Sequence, residues 1–357
     1  MDGAQGKAST GRASRKKMAV EQKTLNLALQ GGGAHGAFTW GVLDRLAEDE
    51  RIVVDGISAT SAGAMNAVVF TYGWSQGGRE GARQALADFW RRIGHAAMLG
   101  PLQPSWLDRV THNHSLEFSP AFLALDLISR LFSPYQFNPL NQNPLRDVLE
   151  ASVDFEALRR ADCPIKLFLS ATNVRSGKVK VFERQEICPD RTLASACLPF
   201  LFQAVEIDGE HYWDGGYMGN PALFPLIYNC ESRDIVVVHI NPLHREKLPR
   251  TATEIMNRIN EISFNSSLMR EMRAISFVTR LIEEGRVNGD GLRHLLIHSI
   301  SAEEEMGRLG VASKLNGDWE FLTHLHDIGR EHADRWLTEN FDRLGVESTV
   351  DIRQQYL

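Results

Sequence analysis

Thr24 to Gly36 reads TLNLALQGGGAHG. Leu25, Leu27 and Leu29 recur every second residue, the period of a strand, and the run then breaks into Gly31-Gly32-Gly33. From Ala37 to Glu48 the spacing changes, with Phe38, Val42, Leu43 and Leu46 on one helical face. This is a strand, a glycine turn and a helix. Ile52 to Gly63 reads IVVDGISATSAG and repeats the plan: a strand over Ile52–Ser58, a turn, then a buried helix over Ala62–Tyr72. Strand–turn–helix units in succession imply an α/β fold with a parallel sheet covered by helices.

Working outward, Gly77–Ile93 reads as a surface helix. Between Met98 and Leu145 the character changes: Pro101, Pro104, Pro120, Pro134, Pro139 and Pro144 interleave with Trp106, Phe118, Phe122, Phe132, Tyr135 and Phe137. Prolines break helix and ladder bonds, so residues 98–145 read as an insertion or lid with a short apolar helix over Ala121–Phe132. Strands are expected at Ile165–Thr172, Lys178–Glu183, Asp234–Ile240 and Leu292–Ile300, and a hairpin over Val205–Trp213 turning at Asp208-Gly209. Leu268, Met272, Ile275, Val278 and Ile282 mark a helical face, and Trp319–Leu344 an amphipathic helix.

The composition is that of a globular protein, with 43% hydrophobic and 24% charged residues. A net charge of −6 argues against a general nucleic-acid binder, which needs a basic face. Cys163, Cys188, Cys197 and Cys230 form no metal or CxxC pattern and read as reduced thiols of a cytoplasmic protein. Residues 1–23 are basic with no apolar stretch behind them, a disordered tail rather than a secretory signal. Gly56–Gly78 lacks charge, but its polar residues fit a buried strand–turn–helix better than a membrane span.

Three motifs carry chemistry. The turn Gly31-Gly32-Gly33-Ala34-His35-Gly36 exposes N–H groups at a helix start, which suit an oxyanion or, equally, a phosphate. Ala59-Thr60-Ser61-Ala62-Gly63 fits a nucleophile elbow or a plain turn with a capping serine. Asp214-Gly215-Gly216 follows a strand and could be a freely approached carboxylate or an ordinary turn.

In this order, GGGAHG, ATSAG and DGG resemble the patatin-like phospholipase family, of the bacterial type. Leu193-Ala194-Ser195-Ala196-Cys197-Leu198-Pro199 and Asn220-Pro221 resemble its flanking segments, and the likeness runs from about Leu25 to Ile240. The resemblance implies a three-layer α/β/α sandwich with a mainly parallel sheet. It implies Ser61 as nucleophile, Asp214 as its direct base, and an oxyanion hole at Gly31, Gly32 and Gly33. The implied reaction is hydrolysis of acyl esters in lipids through an acyl-enzyme, without cofactor or metal. Ala59 stands where the family usually has glycine, and His35 where many members carry Arg or Lys. The expected organisation is a catalytic domain over 24–300 and a helical C-terminal extension over 301–357. The expected partners are an acyl-lipid or ester substrate and a membrane met peripherally, with no nucleic acid. Phe122 and Phe132 are candidates for an acyl-binding groove.

Other readings compete. His35, His211 or His239 could serve as base in a triad. The same serine could feed an acyltransferase, or the chain could bind lipid as a catalytically weak scaffold. A phosphate-loop reading lacks the Lys-Ser/Thr such a loop carries. His324 and His326 lie two apart on a helix and point to different faces, against a metal site; His112 and His114 read as solvated.

Overall fold

In the computed structural model, residues 21–100, 102–103, 115–116, 119–160, 162–287 and 292–357 are described. Residues 1–20 of the tail expected over 1–23 lie outside them, as do Trp106, His112, His114 and Phe118, while Lys23 of that tail begins the first strand. In chain order the elements are β1 (Lys23–Leu29), α1 (Gly36–Glu48), β2 (Ile52–Ala59), α2 (Ala62–Met98), α3 (Pro120–Leu131), α4 (Pro134–Phe137), α5 (Pro144–Ser152) and α6 (Phe155–Arg160). There follow β3 (Lys166–Asn173), β4 (Val179–Glu183), α7 (Pro189–Ser195), β5 (Val205–Ile207), β6 (Glu210–Asp214), α8 (Phe224–Asn229) and β7 (Asp234–Val238). The rest are α9 (Ala252–Glu283), β8 (Leu296–Ile300), α10 (Glu303–Gly307), α11 (Trp319–Asn340) and α12 (Ile352–Tyr356).

The fold is a three-layer α/β/α sandwich. Strands run β5-β6-β3-β2-β1-β7-β8, with β4 also on β3. All pairings among β3, β2, β1, β7 and β8 are parallel. Alternation sorts the side chains between two cores. Leu25, Leu27, Leu29, Val236 and Val238 pack with residues of α1, α2 and α11; Ala28, Ile235, Val237 and Ile297 pack with residues of α8, α9 and α12. The β1–β2 register skips Asp55, because Leu25 faces Val54 and Asn26 faces Gly56. This one-residue bulge keeps Ile52 and Val54 on the same face as Ile57 and Ala59.

Local sequence accounts for most boundaries. Gly77 and Gly78 interrupt α2, Gly78 with φ 60°, so the two helices expected there join into one kinked run. The hairpin turns where Asp208 and Gly209 both take positive φ, 53° and 78°. Thr251 caps α9 in a reciprocal box with Glu254. The expected final helix ends at Asn340 and passes into a 3-10 turn, and the expected last strand narrows to β8.

Helix α11 lies on α1 with no space between backbones. A Cβ on Gly41 would sit 1.9 Å from the His326 carbonyl oxygen, and one on Gly329 2.1 Å from that of Phe38. Arg330 and Arg83 both pair with Asp44 and Glu48 alongside. In contrast, α3 buries none of its residues, and Leu123, Leu127 and Leu131 are exposed. No helix among the described residues is long and apolar enough to cross a membrane.

Candidate active site

The sheet register brings two of the three motifs together. β3 carries β4 on one edge across Phe168–Thr172. β2 must therefore share the opposite edge with β6: β2 pairs as far as Ala59 with Leu169, and β6 takes over with Asp214 opposite Ala171. The chain leaving β2 thus turns at Ser61 where β6 ends at Asp214, and both residues line one cavity, with Ser61 close enough to lower the Asp214 pKa.

Ser61 holds φ 55° and ψ −125°, a strained conformation for a residue with a side chain. Its neighbours fix it. Ser61 N–H donates to Ser195 O and Oγ, both at 3.1 Å, and Thr60 Oγ1 donates to Gly219 O at 2.6 Å. Gly63 permits the tight passage, because a Cβ there would sit 2.5 Å from Leu29 O.

Asp214 is 1% exposed. Its Oδ1 accepts from Gly216 N–H at 2.7 Å, and its main chain is clamped by Cys197 O at 2.8 Å and Thr172 Oγ1 at 2.8 Å. Burial raises its pKa to about 6, against the bond from Gly216, the nearby Ser61 hydroxyl and the charge of Lys314, which lower it. A carboxylate poised there can accept a proton near neutral pH.

The glycine turn lies against the serine. A Cβ on Gly31 would fall 2.4 Å from Ser61 Cβ, one on Gly32 2.6 Å from Ile240 Cγ2, and one on Gly33, at φ 60°, 2.3 Å from Lys314 O. Gly31 N–H is already taken by Asn220 Oδ1 at 2.7 Å. Those of Gly32 and Gly33 meet no acceptor among the described residues. Both point from the start of a helical segment, where the peptide dipoles favour negative charge.

A cavity of about 200 Å³ opens over these groups. Its walls include Leu198, Phe200, Leu201, Phe264, Val311 and Leu315, besides Ser61, Asp214, the three glycines and Lys314. Phe122 and Phe132 do not line it: Phe132 is half exposed at the end of α3. Among the described residues of the 98–145 segment, Tyr135 Oη accepts from Ala204 N–H at 3.2 Å and Asn138 O from Gln203 Nε2 at 2.9 Å, in the chain between α7 and β5. Apolar content shows that side chains need burial but not which surface supplies it.

The histidines go elsewhere. His35 is buried with Nε2 2.7 Å from Ser313 Oγ, and burial holds its pKa well below the usual value. His239 contacts Tyr356 Oη at 2.6 Å, and burial lowers its pKa to about 4. His211 sits half-buried 3.9 Å from Glu206. None lines the cavity. Among the described residues no cluster of His, Cys, Asp and Glu could hold a metal ion. Sequence reasoning missed Lys314, Phe264 and Asn260 as cavity residues. No local motif marks them; they meet the site only through the packing of α9 and of residues 311–315.

Comparison with known proteins gives one family match: the model for patatin-like phospholipase fits residues 27–227, more than half the chain. No curated protein matches it in sequence. Among solved structures it is similar to VipD from Legionella pneumophila at 15% identity, covering 86% of this chain and 67% of that one, with a TM-score of 0.35. It is likewise similar to the ExoU–SpcU complex from the type III secretion system of Pseudomonas aeruginosa at 15% identity and a TM-score of 0.36. There it covers 94% of this chain but only 58% of the other. With its three ordered motifs and the match over residues 27–227, the chain belongs to the patatin-like phospholipase family.

Proposed function

We propose that this chain hydrolyses acyl esters of lipids through a Ser61–Asp214 dyad. The observation that carries the reading is the meeting of Ser61, at positive φ, and a buried Asp214 on the wall of one cavity, the carboxyl raised by burial to about 6. Ser61 Oγ attacks the ester carbonyl carbon while its proton passes to Asp214. The carbonyl oxygen becomes an oxyanion, held by the N–H groups of Gly32 and Gly33, each worth about 3–4 kcal/mol in such a role. Collapse breaks the ester bond, and the departing alkoxide takes the proton from Asp214. Water then attacks the acyl-serine and gives its proton to Asp214; collapse of the second intermediate breaks the bond to Ser61 Oγ, which takes that proton back, and the fatty acid is released. Gly31 has a different part in this scheme: its missing side chain lets the turn lie against Ser61, and its N–H is spent on Asn220.

The catalytic unit in this reading extends past residue 300, since Val311, Lys314 and Leu315 form cavity wall. Peripheral contact with a lipid surface follows from the cavity mouth, where Phe200 is both wall and 66% exposed, and Met256 and Ile259 stand exposed beside Asn260 on α9. Labelling by a fluorophosphonate tests the core of the proposal. The intact chain should be labelled at Ser61 and should hydrolyse acyl esters. A folded chain that does neither would overturn it.

A further inference from the structure

Among the described residues, Asp214 and Lys314 are the only charged ones lining the cavity. Lys314 belongs to a 3-10 turn, Ala312–Leu315, far along the chain from the motifs. Its carbonyl oxygen occupies the space that a Gly33 side chain would need. Its Nζ donates to Asn241 Oδ1 at 2.7 Å, while Asn241 Nδ2 donates to Gly31 O at 2.8 Å. The ammonium is thus fixed to the glycine turn through one asparagine. Next to it, Ser313 Oγ lies 2.7 Å from His35 Nε2 and donates to Gly310 O, and burial with the charges of Lys314 and Arg245 holds the His35 pKa well below its usual value.

We propose that Lys314 is a positioning residue of the dyad, an ammonium held on the glycine turn that keeps Asp214 in its carboxylate form and favours negative charge in the cavity. The inference rests on the function proposed above. The other groups facing the pair come from several elements. Glu261 on α9 attracts the ammonium, but its carboxylate is already shared by Arg245 at 2.6 Å and Arg258 at 3.2 Å. Arg245 and the buried His35 also face Lys314. Tyr217 and Cys197 face Asp214, and burial pushes both up to about 12, so they stay neutral. Burial lowers the Lys314 pKa to about 8. Deprotonation of the lysine should therefore fall within the working range of the enzyme.

The test is the pH dependence of kcat/KM on a neutral short ester, p-nitrophenyl butyrate, with the full chain. Wild type should give a bell, rising through about 6 as Asp214 ionises and falling through about 8 as Lys314 loses its proton. Lys314→Arg, which keeps its charge, should retain the rise and lose the fall. Lys314→Gln can still bond Asn241 but carries no charge. It should lower kcat ten- to a hundredfold, leave KM within about twofold, and move the rise to higher pH; a packing role alone would move neither limb. The proposal is overturned if wild type shows no fall, if the fall persists in Lys314→Arg, or if folded Lys314→Gln keeps kcat and its acid limb. If the Gln variant does not fold, the Arg profile decides. Failure of wild type to hydrolyse any ester, with Ser61 unlabelled, would instead overturn the proposed function and this inference with it.

Discussion

Strands β1 and β2 lie side by side, and each runs through a tight turn into a helix. The β1 turn carries no side chain across Gly31–Gly33, and the β2 turn projects one at Ser61 with φ 55°. The distances make the difference intelligible. Any Cβ on the first turn would strike Ser61, Ile240 or the Lys314 carbonyl, whereas the second turn has open cavity in front of it. Two turns this close leave room for one projecting side chain. One therefore offers backbone N–H groups and the other a hydroxyl, and the strain of the positive φ falls on the turn that does the projecting.

Removing the hydroxyl is the most damaging way to break this division. Ser61→Ala should lower ester hydrolysis by at least about a thousandfold while the unfolding midpoint stays within a few degrees. Retention of more than a few per cent of activity in a folded protein would assign the chemistry to another group.

Asp214→Asn should come close in its effect on kcat and move stability the opposite way. The carboxyl has an ordinary pKa of 3.8 and is raised to about 6 by burial, so the folded chain keeps a proton that the unfolded chain releases between those values. Its contribution to stability is present below about pH 4 and is lost as pH climbs to about 6, a change on the order of 2–3 kcal/mol. The Asn variant carries no such cost and can still accept from Gly216. At pH 8 it should melt a few degrees above wild type, and at pH 4 the two should coincide. His35→Ala, His211→Ala and His239→Ala should keep most activity. A severe loss in one of them alongside a mild Asp214→Asn would make a histidine the base.

Gly31→Ala sharpens the comparison by adding one methyl to the turn that has none. With Ser61 Cβ only 2.4 Å away, the variant should lose about 1–3 kcal/mol of stability and tenfold or more in kcat. Normal kinetics would mean that the turns can separate freely.

The smallest effects concern the walls. Phe264→Ala should weaken long-chain esters about three- to tenfold more than acetyl esters, since each buried methylene is worth about 0.8 kcal/mol. Phe122→Ala and Phe132→Ala should affect both classes alike. Phe200→Asp should reduce co-flotation with phosphatidylcholine vesicles; unchanged flotation would remove the proposed lipid contact at that rim.

Legibility in the sequence follows the reach of each interaction. Lys23–Leu29, Ile52–Ala59 and the hairpin at Asp208-Gly209 are set by neighbours a few residues away, and local period and turn chemistry predict them. The glycine turn, Ser61 and Asp214 carry local signals too, but no local rule says that the last two meet. That meeting depends on β2 and β6 sharing one edge of β3, and it was expected only through family resemblance. The cavity walls were not legible. Phe264, Val311 and Lys314 join the site by tertiary packing without a motif, and the aromatic-rich segment that drew notice leaves Phe132 half exposed outside it. The glycine N–H groups look alike in sequence, and only the position of Asn220 separates Gly31 from its neighbours.

The glycine-to-glycine crossing of α1 and α11 also bears on the order in which the protein is made. Arg330 and Asp44, which meet beside that crossing, are separated by 286 residues. Pairings so distant in sequence lower the folding rate, because a long loop must close before the contact can form. A growing chain on the ribosome has already extruded the glycine turn, Ser61 and Asp214 while α1 still lacks the helix that covers it and the cavity lacks its wall from residues 311–315. Residues 311–340 emerge well after all three motifs, so assembly of the pocket waits until that stretch has been synthesised, and the serine and the carboxylate stand without their full cavity until then.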